Sequence, residues 1–210
     1  SYCEPAGVVE APHVGVGPSG AVMGDVDNDG TVDVIVVYKD SGDISLFRGS
    51  FDAGDYHLSS PARPPQQLSL GVSPTNIALG DVDGDGWLDL VATVDESMAI
   101  AWGIDGSNFQ VPKIFEKTVD GSLLVGLEVK TGDVNNDGRD DVILLSRVND
   151  AIYVFTSDGE KKLYGPAAYS TGGSPVDVAV HDMNLDGCAD FVVGIKDTTS
   201  VSVILSTDCL

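Results

Sequence analysis

The chain has 210 residues, 42% of them hydrophobic, and carries 11 basic against 33 acidic side chains for a net charge of −22. That length allows one or two domains with a substantial core. Acidity on this scale repels nucleic acid and anionic membranes, no basic patch offsets it, and no run of 18 apolar residues offers a helical membrane span.

The first extended segment is Pro5 to Val14. Gly17-Pro18 then opens a unit that recurs. In the first copy the short apolar segment Ala21-Val22-Met23 leads into an acidic loop, DVDNDGTVD from Asp25. The apolar run Val32 to Tyr38 follows, then Ile44 to Phe47 and a weaker segment Gln67 to Leu70. The connection from Gly49 to Pro65 is read as the only sizeable insertion between predicted strands. It holds Phe51, Tyr56, His57 and the stretch Pro61-Ala62-Arg63-Pro64-Pro65, and long loops on rigid scaffolds commonly carry contacts.

The second copy runs from Pro74 through Ile77-Ala78-Leu79, the loop DVDGDGWLD from Asp81, and segments Leu88 to Val94, Met98 to Trp102 and Gln110 to Phe115. The third has Gly126 in place of the proline, then Val129, the loop DVNNDGRDD from Asp133, Asp141 to Leu145, Ile152 to Phe155 and Lys162 to Ala168. The fourth runs from Pro175 through Val178-Ala179-Val180, the loop DMNLDGCAD from Asp182, Phe191 to Ile195 and Val201 to Leu205.

The four loops start 56, 52 and 49 residues apart. Each has oxygen-bearing side chains at positions 1, 3, 5 and 9 and glycine at position 6. Alternating Asp and Asn turn several oxygens into one small volume, and the glycine permits the sharp bend. Ca²⁺ takes about 6–8 oxygens at roughly 2.3–2.6 Å, so four calcium sites are predicted. The side-chain ligands are Asp25, Asp27, Asp29 and Asp33; Asp81, Asp83, Asp85 and Asp89; Asp133, Asn135, Asp137 and Asp141; Asp182, Asn184, Asp186 and Asp190. Position 7 holds Thr31, Trp87, Arg139 and Cys188, which share no side-chain chemistry, as suits a ligand that offers only its main-chain carbonyl. Asn at position 3 leaves the last two loops one carboxylate short, which predicts weaker binding there. An EF-hand is excluded, because position 12 is Val36, Ala92, Leu144 or Val193 rather than glutamate.

Apolar residues at position 2 (Val26, Val82, Val134, Met183) and position 10 (Val34, Leu90, Val142, Phe191) should face a core. The nearly continuous apolar runs after each loop predict second strands buried on both faces. No segment has a helical period. Units of four strands, about 50 residues each, predict an all-β chain: a four-bladed β-propeller of four-stranded antiparallel blades forming one domain over 1–210. The fourth unit ends after its third strand, and Pro5 to Val14 precedes the first, so the N-terminal strand is expected to complete the last blade and remove free edges. Cys3 and Cys209 flank the strands that would then meet, which predicts a Cys3–Cys209 bridge with Cys188 left over; other pairings of the three stay open.

The pattern D-x-[DN]-x-D-G-x-x-D between the first two strands of a repeated blade resembles the FG-GAP/VCBS repeats. Those repeats build the integrin α-subunit propeller, several propeller lectins, and domains attached to extracellular polysaccharide-degrading enzymes. The resemblance covers essentially the whole chain, and it implies a secreted, calcium-binding recognition or adhesion module. The Phe-Gly and Gly-Ala-Pro tripeptides that name the repeat are absent, and integrin propellers have seven blades, so only the calcium ligands carry over.

No enzyme is expected. His13, His57 and His181 share no spacing with a nucleophile, and G-x-S-x-G, H-E-x-x-H and the P-loop are missing. The expected partners are calcium and an extracellular carbohydrate or protein, with self-association into an assembly or filament as the alternative. Trp87, Tyr56, Tyr153, Tyr164 and Tyr169 could stack on sugar, with Trp87 expected to be exposed at its loop; Trp102, on a third strand, is expected in the core.

Overall fold

A computed structural model describes residues 15–52, 55–58, 64–69, 73–94, 97–106, 108–116, 118–119, 122–123, 128–196 and 198–206. The described residues contain strands and no helix. Each of the four acidic loops joins the first two strands of an antiparallel sheet. The first sheet runs in chain order through Pro18–Gly24, Asp33–Tyr38, Asp43–Phe47 and Gln66–Ser69. The second has Pro74–Gly80, Asp89–Val94, Ser97–Ala101 and Lys113–Glu116. The third has Glu128–Gly132, Asp141–Ser146, Ala151–Ser157 and Leu163–Ser170. Pro175–His181, Asp190–Ile195 and Val201–Ile204 make the fourth, which has three strands. Residues 5–14, expected to supply its outer strand, lie outside the described residues.

Proline opens three of the four first strands because the missing N–H costs nothing at a strand start. At that point each of these strands is bulged, between Pro18 and Gly20, Pro74 and Asn76, and Pro175 and Asp177. The third sheet, which starts at Glu128, pairs in unbroken register. The bulge is therefore a property of the proline start rather than of the repeat.

Three apolar clusters alternate with the four sheets. Ile35, Val37, Ile44 and Leu46 of the first sheet meet Ile77, Leu90, Ala92 and Ala99 of the second. The opposite face of the second sheet, with Val91, Met98, Ile100 and Trp102, meets Val142, Leu144 and Tyr153 of the third. The third then packs Ile143, Leu145, Ile152 and Val154 on Val178, Phe191 and Val193 of the fourth. Each fully buried aliphatic side chain contributes about 1.5–3 kcal/mol.

The expectation of second strands buried on both faces holds for Asp89–Val94 and Asp141–Ser146, every residue of which is buried. It fails in the outer sheets. Val34 and Val36, and likewise Val192 and Gly194, are half-exposed because their faces have no cluster against them among the described residues. Met183 follows the same logic. Val26, Val82 and Val134 each sit in a cluster, whereas Met183, at the same loop position in the last sheet, is 52% exposed.

Two further corrections concern connections. The segment after Gly49 forms a ribbon of Gly49–Asp52 paired with Asp55–Leu58, closed by an edge contact of Phe51 on Tyr56 at 5.6 Å. A second ribbon, Thr118–Val119 with Ser122–Leu123, precedes the third sheet, so the first connection is not the only sizeable insertion. The first ribbon has no Asn-Gly or Asp-Gly pair at its turn, whereas the second carries Asp120-Gly121 between its strands, a hairpin signature that the reading of the sequence passed over.

Candidate metal centre

The four loops lie side by side at one end of the row of sheets. Asn28 Nδ2 donates to the Gly86 carbonyl at 3.1 Å, linking the first two loops. The Asp140 N–H donates to the Asp81 carbonyl at 2.9 Å and the Ala189 N–H to the Val134 carbonyl at 3.3 Å, linking the second to the third and the third to the fourth.

Within each loop the acidic side chains are oriented by the backbone they sit on. The position 1 carboxylate accepts the N–H of the position 6 glycine at 2.8, 3.0, 2.9 and 2.9 Å for Asp25, Asp81, Asp133 and Asp182. The position 5 carboxylates of Asp29, Asp85, Asp137 and Asp186 accept the N–H of position 7, at 2.8 to 3.0 Å. At position 3, Asp83, Asn135 and Asn184 accept the N–H of position 5 at 3.2, 3.1 and 3.0 Å. Such Asx turns fix side chains that would otherwise repel one another outward.

Two left-handed residues make the bend. Gly30, Gly86, Gly138 and Gly187 at position 6 have φ between 85° and 91°. Around Gly30, Gly86 and Gly138 an added Cβ would meet nothing within 4 Å, so conformation and not space demands glycine there. Position 4 is also left-handed, at Asn28, Gly84, Asn136 and Leu185, with φ of 53°, 73°, 58° and 62°. Sequence reasoning missed it, although Asn, Gly and Asn at the first three are the residues that tolerate this region.

Position 9 has a task beside the ligand role read in the sequence. Asp33, Asp89, Asp141 and Asp190 are all 0% exposed. One carboxylate oxygen of each accepts the position 2 N–H, from Val26, Val82, Val134 and Met183. The other accepts an N–H at or just beyond the end of the third strand, from Gly49, Gly103, Ser157 and Ser206, at 2.8 to 3.0 Å. Position 9 thus pins the loop to the end of the third strand. The donors are main-chain groups on unlike residues, so no side-chain signal announced them. Burial pushes the Asp89 carboxyl up to about 7 and Asp141 to about 6, against the opposing pull of these N–H groups. Asp33 and Asp85 are raised for the same first reason.

Carboxylate oxygens of Asp25, Asp27 and Asp29 lie within 4.8 Å of one another, as do those of Asp81, Asp83 and Asp89. The sequence-derived sets are therefore brought together in part: Asp33 stands apart from the first group and Asp85 from the second. In the third and fourth loops no acidic trio is that close among the described residues, in keeping with Asn135 and Asn184 at position 3. The donor set suits a hard cation, and Asp81 Oδ1 is buried with no hydrogen-bond donor, an oxygen aimed where a cation would satisfy it.

Protein cations reach the same oxygens. Arg48, which is buried, places Nη1 3.3 Å from Asp27 Oδ2 and 3.1 Å from Asp33 Oδ2. Lys161 Nζ lies 3.1 Å from Asp83 Oδ2 and 5.6 Å from the centroid of the Trp102 ring. Arg139 turns back on its own loop, 2.6 Å from Asp137 Oδ2.

The remaining expectations divide. Trp102 is in the core, as expected, and so is Tyr153; Trp87 is half-buried over Gly103 and Gly106, not exposed. Tyr56 and Tyr164 are the exposed tyrosines among those named for sugar stacking. Cys188 is buried and disulfide-bonded, so it is not the spare thiol; Cys3 and Cys209 lie outside the described residues. His57 and His181 are exposed and His13 is outside the described residues. His181 borders a cleft of about 420 Å³ between the third and fourth loops, with Thr131, Asp133, Asn136 and Asp182.

This architecture has a counterpart among known families. The FG-GAP-like repeat matches residues 25–92 and 133–193, more than half of the chain and all four loops. The chain belongs to the FG-GAP-like repeat family. Among solved structures, this FG-GAP-like chain superimposes on an Agrocybe aegerita lectin that recognises non-reducing terminal N-acetylglucosamine, with TM-score 0.61 and 16% identity over 90% of this chain and 49% of the lectin. It also superimposes on BBS1N, solved in complex with ARL6DN, with TM-score 0.55 and 12% identity over 94% of this chain and 59% of that one. The chain therefore spans about half the length of the lectin. At such identities the likeness is one of fold. Comparison with curated protein sequences gives no match.

Proposed function

We propose that this FG-GAP-like chain is a non-catalytic extracellular recognition or adhesion module. Its four sheets are the blades of a single propeller domain over 1–210, and Ca²⁺ in four aligned loops holds them in register. The observation that carries the reading is the repeated Asx-turn cage, in which positions 1 and 5 are oriented by the same N–H groups in all four loops and position 3 by the same N–H group in the second, third and fourth. In each site the side-chain ligands are positions 1, 3, 5 and 9, and position 7 offers its carbonyl. The sugar-binding lectin and the protein-bound BBS1N share this fold, which supports a carbohydrate or protein ligand for the chain. The cleft beside His181, flanked by two loops, is where such a ligand would meet the calcium-bearing end.

Segment 5–14 is assigned to the open edge of Val201–Ile204, completing the fourth blade and closing a ring of four. Calcium titration by calorimetry tests the metal reading: four sites are expected, and a chain that binds none would end it. A glycan array run in calcium and in chelator tests the ligand class, with calcium-dependent retention expected.

A second reading, a structural subunit of an extracellular assembly, is favoured by one feature. The outer sheets expose apolar side chains, Met23 at 73%, Val201 at 62% and Val203 at 50%. Exposed patches of this kind mark association surfaces. Light scattering in calcium separates the two: a monomer supports recognition by a closed ring, a larger species supports assembly.

A further inference from the structure

Only the first two loops carry a full negative charge at position 3, and only there does a protein cation meet that position among the described residues. Asp27 is paired with Arg48 and Asp83 with Lys161. In the other loops position 3 is neutral. Asn135 Oδ1 accepts the Asp137 N–H, Asn184 Oδ1 accepts the Asp186 N–H, and Asn184 Nδ2 donates to Asp186 Oδ2 at 2.8 Å.

The two cations have no common origin in the repeat. Arg48 stands at the end of the third strand of its own sheet, one residue before the Gly49 N–H that holds Asp33. Lys161 comes from the turn between the third and fourth strands of the neighbouring third sheet and crosses to the second loop. Its backbone is left-handed, with φ of 62°, a conformation side chains disfavour and which aims its stem at Asp83 and Trp102. In the second and third repeats the residues aligned with Arg48 are Trp102 and Thr156, each just before the N–H that binds position 9. Unrelated positions thus deliver the same contact to the same carboxylate.

We propose that Arg48 and Lys161 are built-in counter-cations that weaken calcium binding at the first two loops and bring those loops to the level of the two with asparagine. The inference rests on the calcium reading above. A fixed positive charge a few ångströms from a divalent ion repels it, and in the metal-free chain the same charge relieves repulsion among four carboxylates. Both effects lower affinity. The ranking expected from carboxylate number alone is thereby cancelled.

The second loop can be read through tryptophan. The chain has 2 tryptophans; Trp87 is position 7 of that loop, and Trp102 lies against Lys161. Terbium, a calcium substitute, emits when excited through a nearby indole. Titration of the full chain with terbium should show Lys161→Gln half-saturating at about tenfold lower concentration, equivalent to ~1.4 kcal/mol. The double variant Lys161→Gln/Asp83→Asn, which copies the charge of the last two loops, should return to near the unmodified value. In chelator, Lys161→Gln should melt below the unmodified chain and the double variant should recover. Unchanged or weaker terbium binding by Lys161→Gln, with an unaltered melt in calcium, overturns the proposal. A chain whose tryptophans sensitise no terbium at all would instead refute the calcium reading and this inference with it.

Discussion

Asp140 and Asp81 clasp each other across two sheets. The Asp140 N–H donates to the Asp81 carbonyl and the Asp81 N–H donates to Asp140 Oδ2, both at 2.9 Å. Asp140 is position 8 of its loop, outside the predicted ligand set, and burial raises its carboxyl above the usual range. Asp140→Ala leaves the Asp81 N–H without its acceptor, which should cost about 1–3 kcal/mol. Asp140→Asn keeps an acceptor oxygen and should cost much less. Urea unfolding in calcium measures the difference, and calcium stoichiometry should be the same in both variants.

Positions 5 and 9 should separate in their response to metal. Asp89 accepts N–H groups from Val82, Asp83 and Gly103, so Asp89→Ala should destabilise the chain by about 2–5 kcal/mol even in chelator. Asp85→Ala removes one exposed turn bond and a proposed ligand, so its loss should show only when calcium is present. Melting curves of both variants with and without calcium test this. Equal losses in chelator would count against the pinning role of position 9.

Calcium removal should loosen every loop together. Each site adds about 2.7 kcal/mol at a hundredfold excess of calcium over Kd. A chain of this size moves by roughly 2–4 °C for each kcal/mol, so a chelator is expected to lower Tm by more than about ten degrees. An unchanged Tm would contradict a structural role for the ion.

The metal-free chain should prefer mild acid. Asp89 and Asp141 are raised from 3.8 to about 7 and about 6 by burial. A group whose folded pKa lies above its unfolded one stabilises fully below the unfolded value and loses that contribution as pH rises through the folded value. In chelator, Tm should therefore fall between pH 5 and pH 8, and calcium should restore it at the higher pH. A metal-free Tm that rose over this interval would contradict the assignment.

Leu185 is a local misfit. It occupies position 4 with φ of 62° and is 86% exposed, where the other loops have Asn, Gly and Asn. Leu185→Gly or Leu185→Asn should stabilise the fourth loop by about 1 kcal/mol, since no packing is lost and the left-handed cost falls. Chemical denaturation in calcium reads the gain.

The repeat, the strand order within each sheet and the loop as a converging oxygen cage were legible in the sequence, because side-chain alternation and glycine at position 6 leave direct marks. What escaped was carried by the main chain or by distant residues. Nothing in Gly49, Gly103, Ser157 and Ser206 marks them as partners of position 9. Arg48 and Lys161 sit at unrelated repeat positions, so spacing could not flag them. Met183 reads as a core residue by analogy with Val26, and it is exposed because no described sheet follows its own. The ribbon at 49–58 lacks a turn signature, that at 118–123 carries one in Asp120-Gly121 that was passed over between longer strands, and the disulfide at Cys188 runs against the simpler pairing of chain ends.

The bonds from Asn28 to Gly86, Asp140 to Asp81 and Ala189 to Val134 make the loops a string of nearest neighbours. No such bond joins the fourth loop to the first among the described residues, so the second and third loops each have two bonded neighbours, and the first and fourth, which meet at the seam of the proposed ring, have one. Release should then begin at that seam and travel around the ring, which makes ion loss a directional unzipping in place of four independent departures.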